Sequence, residues 1–338
     1  MGLAANFGDR QHPGTRAATA NDWCTFAPMT SNSARAVLAL KGMLMGMAET
    51  VPGVSGGTIA FITGIYERLI NAIKSFGPDA LAAYRANGFT GAWRAVDGNF
   101  LLVLFVGMFG GIVIGVFGIS YLLENYTLLV WAFFSGLIAA SAIYVGRQVG
   151  TWRWKEILAL LLAAVFAYGL TVMSPAQGTD AYWMLFVSGA LAVSALLLPG
   201  LSGSFVLLLM GMYQIVLGAA RGLLESAALA DFLRLTAFGL GMIVGVVTFS
   251  RLLSWTFRNY ERITLAALTG FMIGSLNKVW PWRNVLTYRA NSHGDQVPFL
   301  EEAVLPANYA GDPQVLWVLV WLLVGFAGVF LVERLGKA

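Results

Sequence analysis

Two glycine-rich interruptions of apolar sequence hold the residue types best suited to bind an anion. Each begins with Pro-Gly and continues with small residues and hydroxyls, so backbone N–H groups stay unshielded where the next helix starts. A helix N-terminus carries roughly half a positive charge and several free N–H donors, which suits a phosphate or a carboxylate. The candidates are Pro52, Gly53, Ser55, Gly56, Gly57 and Thr58 in the first break and Pro199, Gly200, Ser202, Gly203 and Ser204 in the second.

Charged residues flank the first break but not the second. Lys41 and Glu49 precede it at a spacing that places both on one helix face, and Glu67 and Arg68 follow it. Charges within apolar membrane segments are costly and mark functional positions. Glu49, beside the break, is the candidate for proton coupling. For Lys41, Glu67 and Arg68, snorkelling to the membrane interface is an equal alternative.

The charge of a phosphate group calls for a cation as well. A phosphate monoester carries about −1.5 to −2 at pH 7, more than two helix ends neutralise. Arg68 is the first candidate and Arg221, which follows the second break, is the other. Tyr66 and Tyr213 follow the two breaks at equivalent positions and are supporting candidates.

Composition identifies the class of protein that must position these residues. The chain of 338 residues is 58% hydrophobic and 11% charged, against roughly 25% charged residues in soluble domains. This predicts an all-α polytopic membrane protein. Basic residues are dispersed among loops, which argues against nucleic acid as a partner. The one cysteine, Cys24, fits no metal site, and we expect no cofactor.

The apolar segments predict six spanning helices and two hairpins that enter the membrane and return to the same side. We expect residues 1–33 to form a disordered cytoplasmic tail, and we expect helices to follow the breaks at 58–73 and 204–220. The first repeat, 34–180, contains hairpin 35–75 and helices 99–123, 127–146 and 156–174. The second, 181–338, contains hairpin 182–220 and helices 233–257, 263–280 and 314–333.

Matching residues in the two halves indicate an internal repeat. Since each copy holds one hairpin and an odd number of spans, we expect the second copy to be inverted, as in many transporters. The hairpin tips would then meet near the membrane midplane; the alternative is that the small residues only permit close helix packing. The matched residues are Pro52, Gly53, Ser55, Gly56, Gly64 and Tyr66 with Pro199, Gly200, Ser202, Gly203, Gly211 and Tyr213, and Gly107, Gly111, Asn125, Tyr126 and Gly136 with Gly241, Gly245, Asn259, Tyr260 and Gly270.

Basic residues predict the orientation. Most of the 21 Lys and Arg residues fall on the side that holds both termini, which is cytoplasmic by the positive-inside rule. The opposite side holds Arg221, Arg234, Lys278, Arg283 and Arg289.

The stretch MGMAETVPGVSGGTIAFITGIYERLINAI, residues 45–73, resembles the PopT family of polyprenyl-phosphate transporters, and LPGLSGS at 198–204 also fits it. The resemblance spans about residues 35–335 and implies a bacterial inner-membrane protein that returns undecaprenyl phosphate to the cytoplasmic leaflet. It implies a site that includes Glu49, the residues of the two breaks and Arg68. Family members often have Asp where this chain has Glu49.

The two alternative functions are an enzyme and a transporter or channel for a small soluble anion. The histidines, His12 and His293, lie far from the breaks, and no phosphate-binding P-loop occurs, so we expect no enzyme. A transporter or channel for a small soluble anion would suit the same helix ends. A lateral opening between the repeats would favour a lipid. Membrane lipids are expected neighbours, and the oligomeric state stays open, with a homodimer as one option.

Overall fold

The structure is a computed structural model that describes residues 32–51, 53–290 and 296–337. Pro52 and almost all of the expected N-terminal tail therefore lie outside the described residues. The described chain is built from helices, with one β-hairpin near its C-terminal end. The helices are α1 (Asn32–Glu49), α2 (Gly56–Ile62), α3 (Tyr66–Lys74), α4 (Pro78–Ala95), α5 (Gly98–Gln148), α6 (Trp154–Val172), α7 (Tyr182–Leu197), α8 (Gly203–Leu209), α9 (Tyr213–Ser226), α10 (Leu229–Ser275) and α11 (Val315–Lys337).

Two very long helices form the frame of this multi-pass membrane protein. Helix α5 has 51 residues and α10 has 47, which at about 1.5 Å per residue is more than twice a hydrocarbon core of about 30 Å. Each is therefore two spans joined at a kink, where Tyr126 and Tyr260 leave helical geometry at φ −137° and −141°. Asn125 and Asn259 each donate to a carbonyl one turn earlier, at 2.8 Å. The kinks thus repeat the same backbone conformation at matched positions.

The helices that follow the two breaks are shorter than the sequence suggests. Expected helices over 58–73 and 204–220 are each divided in two, giving α2 with α3 and α8 with α9. The divisions fall at Gly64 and Gly211, with φ of +72° and +69°. This left-handed conformation suits glycine and ends a helix. Helices α8 and α9 consequently meet at an angle of 106°.

Glycines allow the first helix of each half to lie against the first leg of its long helix. A side chain on Gly107 would collide with the carbonyl oxygen of Ala39 in α1, and one on Gly241 would collide with that of Phe186 in α7. Small residues at such crossings let backbones approach closely, as is typical of membrane helices. Helices α1 and α7 are therefore packed equivalently in the two halves.

The last helix of each half packs against the other half. A side chain on Gly136, in the second leg of α5, would meet the carbonyl oxygen of Leu322 in α11. A side chain on Gly270, in the second leg of α10, would meet that of Leu160 in α6. The halves thus exchange α11 and α6, which ties them together. The antiparallel relation of the halves in the membrane stays a prediction.

The connection between α10 and α11 contains strands that the sequence did not suggest. Strands β1 (Arg283–Ala290) and β2 (Gln296–Ala303) pair antiparallel, and a short 3-10 helix (Pro306–Asn308) follows. Two tryptophans on the preceding segment anchor this connection. The Nε1 of Trp280 donates to the Val304 carbonyl and that of Trp282 to the Pro313 carbonyl, both at 2.8 Å. The hairpin is consequently fixed to the end of α10.

Candidate functional site

The two breaks have nearly the same backbone. Gly53 and Gly200 have φ of +92° and +88°, a left-handed region that glycine tolerates. Ser55 and Ser202 are the N-cap residues of α2 and α8, with extended φ of −115° and −106°. In both breaks a backbone N–H donates to the carbonyl three residues earlier, from residue 54 to 51 at 3.1 Å and from 201 to 198 at 3.3 Å, so the chain turns sharply before the next helix starts.

The breaks are in direct contact, with side chains of the first pairing with backbone of the second. The Ser55 hydroxyl donates to the Leu198 carbonyl at 3.1 Å, and the Tyr66 hydroxyl donates to the Leu197 carbonyl at 2.7 Å. In the other direction, the Gly200 N–H donates to the Thr58 hydroxyl at 3.1 Å. The first two of these bonds satisfy carbonyls at the end of α7 that have no helical partner, so the contact is also structural.

The start of α2 is bound by the protein's own carboxylate. Oε1 of Glu49 accepts a hydrogen bond from the Gly56 N–H at 2.6 Å. The Ser55 hydroxyl accepts from the Gly57 N–H at 3.1 Å. The predicted anion-binding donors are therefore present, but in this conformation Glu49 and Ser55 use them.

The start of α8 differs because Leu196 occupies the position that matches Glu49. Within the described residues, the N–H groups of residues 203–205 have no hydrogen-bond acceptor. The Ser202 and Ser204 hydroxyls hydrogen-bond to one another at 2.8 Å, and Ser202 makes no side-chain cap. The two breaks therefore share a backbone but differ in which donors remain available.

Arg68 is engaged by an acid that the sequence reasoning missed. Its Nε lies 2.6 Å from Oδ2 of Asp97, and its guanidinium lies 4.5 Å from the ring centre of Phe100. Asp97 is the N-cap residue of α5 and has a left-handed backbone. An acid immediately before a long apolar segment was the available signal. Arg68 is thus paired, not an open cation.

The other candidates lie at differing distances from the breaks. Lys41 donates from Nζ to the Thr63 carbonyl at 3.0 Å, where α2 ends, and it forms no ion pair with Glu49. Glu67 is exposed, and Tyr213 is half-buried where its counterpart Tyr66 is fully buried. Arg221 is half-buried in α9, with no ion pair among the described residues.

A lysine at the end of the expected helix 263–280, which sequence reasoning used only to predict the orientation, touches the first break. A β-carbon on Gly53 would lie 2.8 Å from Cγ of Lys278. Nζ of Lys278 lies 5.3 Å from the ring centre of Phe205, the third residue of α8. Lys278 therefore bridges the first break and the helix that follows the second.

An apolar groove runs between α4 and the first leg of α5. Its volume is about 650 Å³, within the range of small-molecule sites. Val96 and Gly98, on either side of Asp97, contribute to one part of its wall, so the groove adjoins the Arg68–Asp97 pair. This groove belongs to the first half, so it is distinct from the lateral opening between the repeats that would favour a lipid. Its lining is Phe76, Ala80, Phe89, Ala92, Trp93, Val96, Gly98, Leu101, Leu102, Phe105, Val106 and Phe109.

Comparison with known proteins shows which family this chain resembles. Residues 45–297 match the family described as undecaprenyl phosphate translocase-like. The chain is 42% identical over 299 residues to a polyprenyl-phosphate transporter of Vibrio cholerae, covering 87% of this chain and 95% of that protein. It is 30% identical over 267 residues to a polyprenyl-phosphate transporter of Staphylococcus aureus, covering 72% and 85%. No solved structure matches the chain. Both relatives carry the names of transporters, not of enzymes.

Proposed function

The chain belongs to the undecaprenyl phosphate translocase-like family, and from that premise we propose that it carries a polyprenyl phosphate, undecaprenyl phosphate in particular, across the bacterial inner membrane. The lipid moves from the outer to the cytoplasmic leaflet, and both termini lie in the cytoplasm. The phosphate passes the contact between the two breaks. The isoprenoid chain stays in apolar surroundings throughout.

The observation that carries this proposal is the bond between Glu49 and the Gly56 N–H, at 2.6 Å. A carboxylate oxygen already occupies the start of α2, so this position accepts an anionic oxygen. A phosphate oxygen has the same hydrogen-bonding requirement and would compete with Glu49 for the donor. In the absence of lipid, the Glu49 carboxylate therefore takes the place of the phosphate at the start of α2.

Competition between Glu49 and phosphate suggests how protons enter the cycle. Two anions cannot share one donor without repulsion, and a proton on Glu49 removes that repulsion. Moving a charge against the membrane potential costs about 2.3 kcal/mol per 100 mV, or roughly 3.5 to 4.6 kcal/mol for this head group. A proton that travels with the lipid removes about 2.3 kcal/mol of this cost. We therefore assign proton uptake from outside and release inside to Glu49.

The apolar groove favours a lipid over a small soluble anion. All of its lining residues are apolar or glycine, and it adjoins the Arg68–Asp97 pair. A soluble phosphate would gain nothing from such a surface, whereas an isoprenoid chain buries apolar area there. Arg68, which lies on the cytoplasmic side in the predicted orientation, would meet the head group as it leaves. A small-anion transporter remains the second candidate, because the start of α2 alone does not distinguish the two.

The test is transport by purified protein in liposomes with an imposed pH gradient. Polyprenyl phosphate should move faster when the lumen that corresponds to the cytoplasm is the more alkaline side, and inorganic phosphate should not compete. Glu49→Gln keeps an acceptor for the Gly56 N–H but cannot carry a proton, so it should lose the pH response. Glu67→Gln, a change at an exposed acid after the break, is the matched control and should keep it.

Two results would contradict the proposal. Transport of inorganic phosphate without transport of the lipid would favour the small-anion function. An unchanged pH response in Glu49→Gln would remove Glu49 from the coupling step.

A further inference from the structure

The connection after α10 carries a cluster of Lys278, Arg283 and Glu301, of which Lys278 contacts the first break. The Lys278 side chain fills the space beside Gly53, and its Nζ lies over the ring of Phe205 in the first turn of α8. Lys278 is thus in contact with elements of both halves. The Val279 carbonyl accepts a hydrogen bond from Ser135 at 2.5 Å, which holds this connection on α5.

The cluster carries an excess of positive charge. Nζ of Lys278 lies 4.0 Å from Oε2 of Glu301, and Nε of Arg283 lies 3.3 Å from the same oxygen. Two cations therefore share one carboxylate, which leaves a net charge of about +1 on a partly buried site. Unbalanced charge in an apolar setting is costly and marks a functional position.

The two cations are held differently. Arg283 is 6% exposed and also donates to the Asn277 carbonyl at 2.5 Å and the Glu301 carbonyl at 3.2 Å, so its position is fixed. Lys278 is 23% exposed and sits at the outer limit of an ion pair. Within the described chain its ammonium makes no hydrogen bond, although it has three donors. Lys278 is therefore the member that can bind another anion.

We infer that Lys278 is the cation that binds the phosphate head group at the breaks, with Glu301 as its counter-ion in the absence of lipid. Arg283 is a positioning residue that holds Glu301 in place. This inference rests on the proposed transport of a phosphate lipid and adds the residue that neutralises its head group. On the predicted orientation the cluster lies on the outer side, so it would receive lipid from the outer leaflet.

A purely structural role for Lys278 makes a different prediction. If the lysine only anchors β2 through Glu301, removal of either partner should lower stability and leave lipid affinity unchanged. If Lys278 binds phosphate, the two removals should change affinity in opposite directions. Loss of the lysine removes the binding cation, whereas loss of the carboxylate removes its competitor.

The experiment measures binding of a short polyprenyl phosphate and of inorganic phosphate to purified protein in nanodiscs, at several salt concentrations. Lys278→Met should weaken lipid binding at least tenfold, and Lys278→Arg should retain most of it. Glu301→Gln should bind the lipid more tightly than the wild type. Lys155→Met is the matched control, because Lys155 also lies over an aromatic ring, 5.7 Å from that of Trp154, and should bind as the wild type does.

The outcomes separate this inference from the proposed function. Lipid binding within twofold of wild type in a folded Lys278→Met protein would overturn the inference and leave the transport proposal standing. Binding of inorganic phosphate but not lipid, lost in Lys278→Met, would support Lys278 while the lipid function fails. If Lys278→Met does not fold, Glu301→Gln decides: weaker or unchanged lipid binding in that variant overturns the inference.

Discussion

Ser55 and Ser202 occupy matched positions, yet their contacts predict unequal roles. Ser55 accepts from the Gly57 N–H and donates to the Leu198 carbonyl, whereas among the described residues the Ser202 hydroxyl pairs only with that of Ser204. A side-chain hydrogen bond between membrane helices is worth about 0.6 kcal/mol on average and up to about 1.7. Ser55→Ala should therefore lower the free energy of unfolding by about 1 to 3 kcal/mol, and Ser202→Ala by about 0.6.

The assay is a denaturant titration of both purified variants in mixed micelles, followed by lipid-phosphate binding. Ser55→Ala should unfold at a lower denaturant concentration than Ser202→Ala. Ser202→Ala should fold as the wild type does and bind the lipid more weakly, because its hydroxyl lies beside N–H groups that have no acceptor in the described chain. Equal stability of the two variants, or the reverse order, would refute the assignment of Ser55 to structure and Ser202 to binding.

Three further predictions concern other positions. Gly203→Ala should destabilise the protein more than Gly56→Ala, by about 1 to 3 kcal/mol in thermal or denaturant unfolding. The new methyl group would meet a backbone oxygen at Gly203 but a side-chain carboxylate, which can move, at Gly56. Equal losses of stability would contradict this prediction. Asp97→Asn removes the carboxylate charge 2.6 Å from Nε of Arg68 and should therefore raise the affinity for polyprenyl phosphate severalfold in a binding assay. Unchanged affinity would indicate that Arg68 does not meet the head group. Ala92→Trp should slow lipid transport in liposomes by filling the apolar groove, while Ala82→Trp, outside the groove lining, should not; equal rates would exclude the groove from the path.

The membrane class and the family of the chain could be predicted from sequence because they depend on composition and on short motifs. The helical class follows from long apolar segments, and the break motifs carry the resemblance that the comparisons confirm. The matched residues of the two halves also predicted matching backbone conformations. Gly53 with Gly200, and Tyr126 with Tyr260, repeat the same unusual dihedral angles. Local sequence determines local backbone conformation, so these features could be predicted from the sequence.

Contacts between segments that are distant in the sequence could not be predicted in the same way. Lys278 and Gly53 are far apart in sequence, and no periodicity relates a loop lysine to a glycine in another half. The pairing of Arg68 with Asp97 crosses an intervening helix, α4. The bond from Glu49 to the Gly56 N–H depends on how tightly the chain turns. These pairings follow from tertiary packing, so composition and spacing alone do not specify them.

Strands β1 and β2 were missed for a different reason. The first strand, RNVLTYRA, alternates only partly between polar and apolar residues, and the segment lies between tryptophans typical of a membrane interface. Residues 291–295, which connect the strands, lie outside the described chain. A weak period-two pattern in an otherwise helical membrane protein favours a loop on general expectation. The anchoring bonds of Trp280 and Trp282 were visible only once the fold was known.

The exchange of α6 and α11 between the halves constrains the order in which the chain can reach its native state during synthesis. The second leg of α5 enters the membrane long before α11, which ends the described chain at Lys337. Until α11 arrives, the surface at Gly136 that receives it must face lipid or another helix. Contacts between distant segments form late and slowly. The first half is therefore completed only when α11 arrives, and truncation within α11 should leave the surface at Gly136 uncovered and this half vulnerable to quality-control proteases.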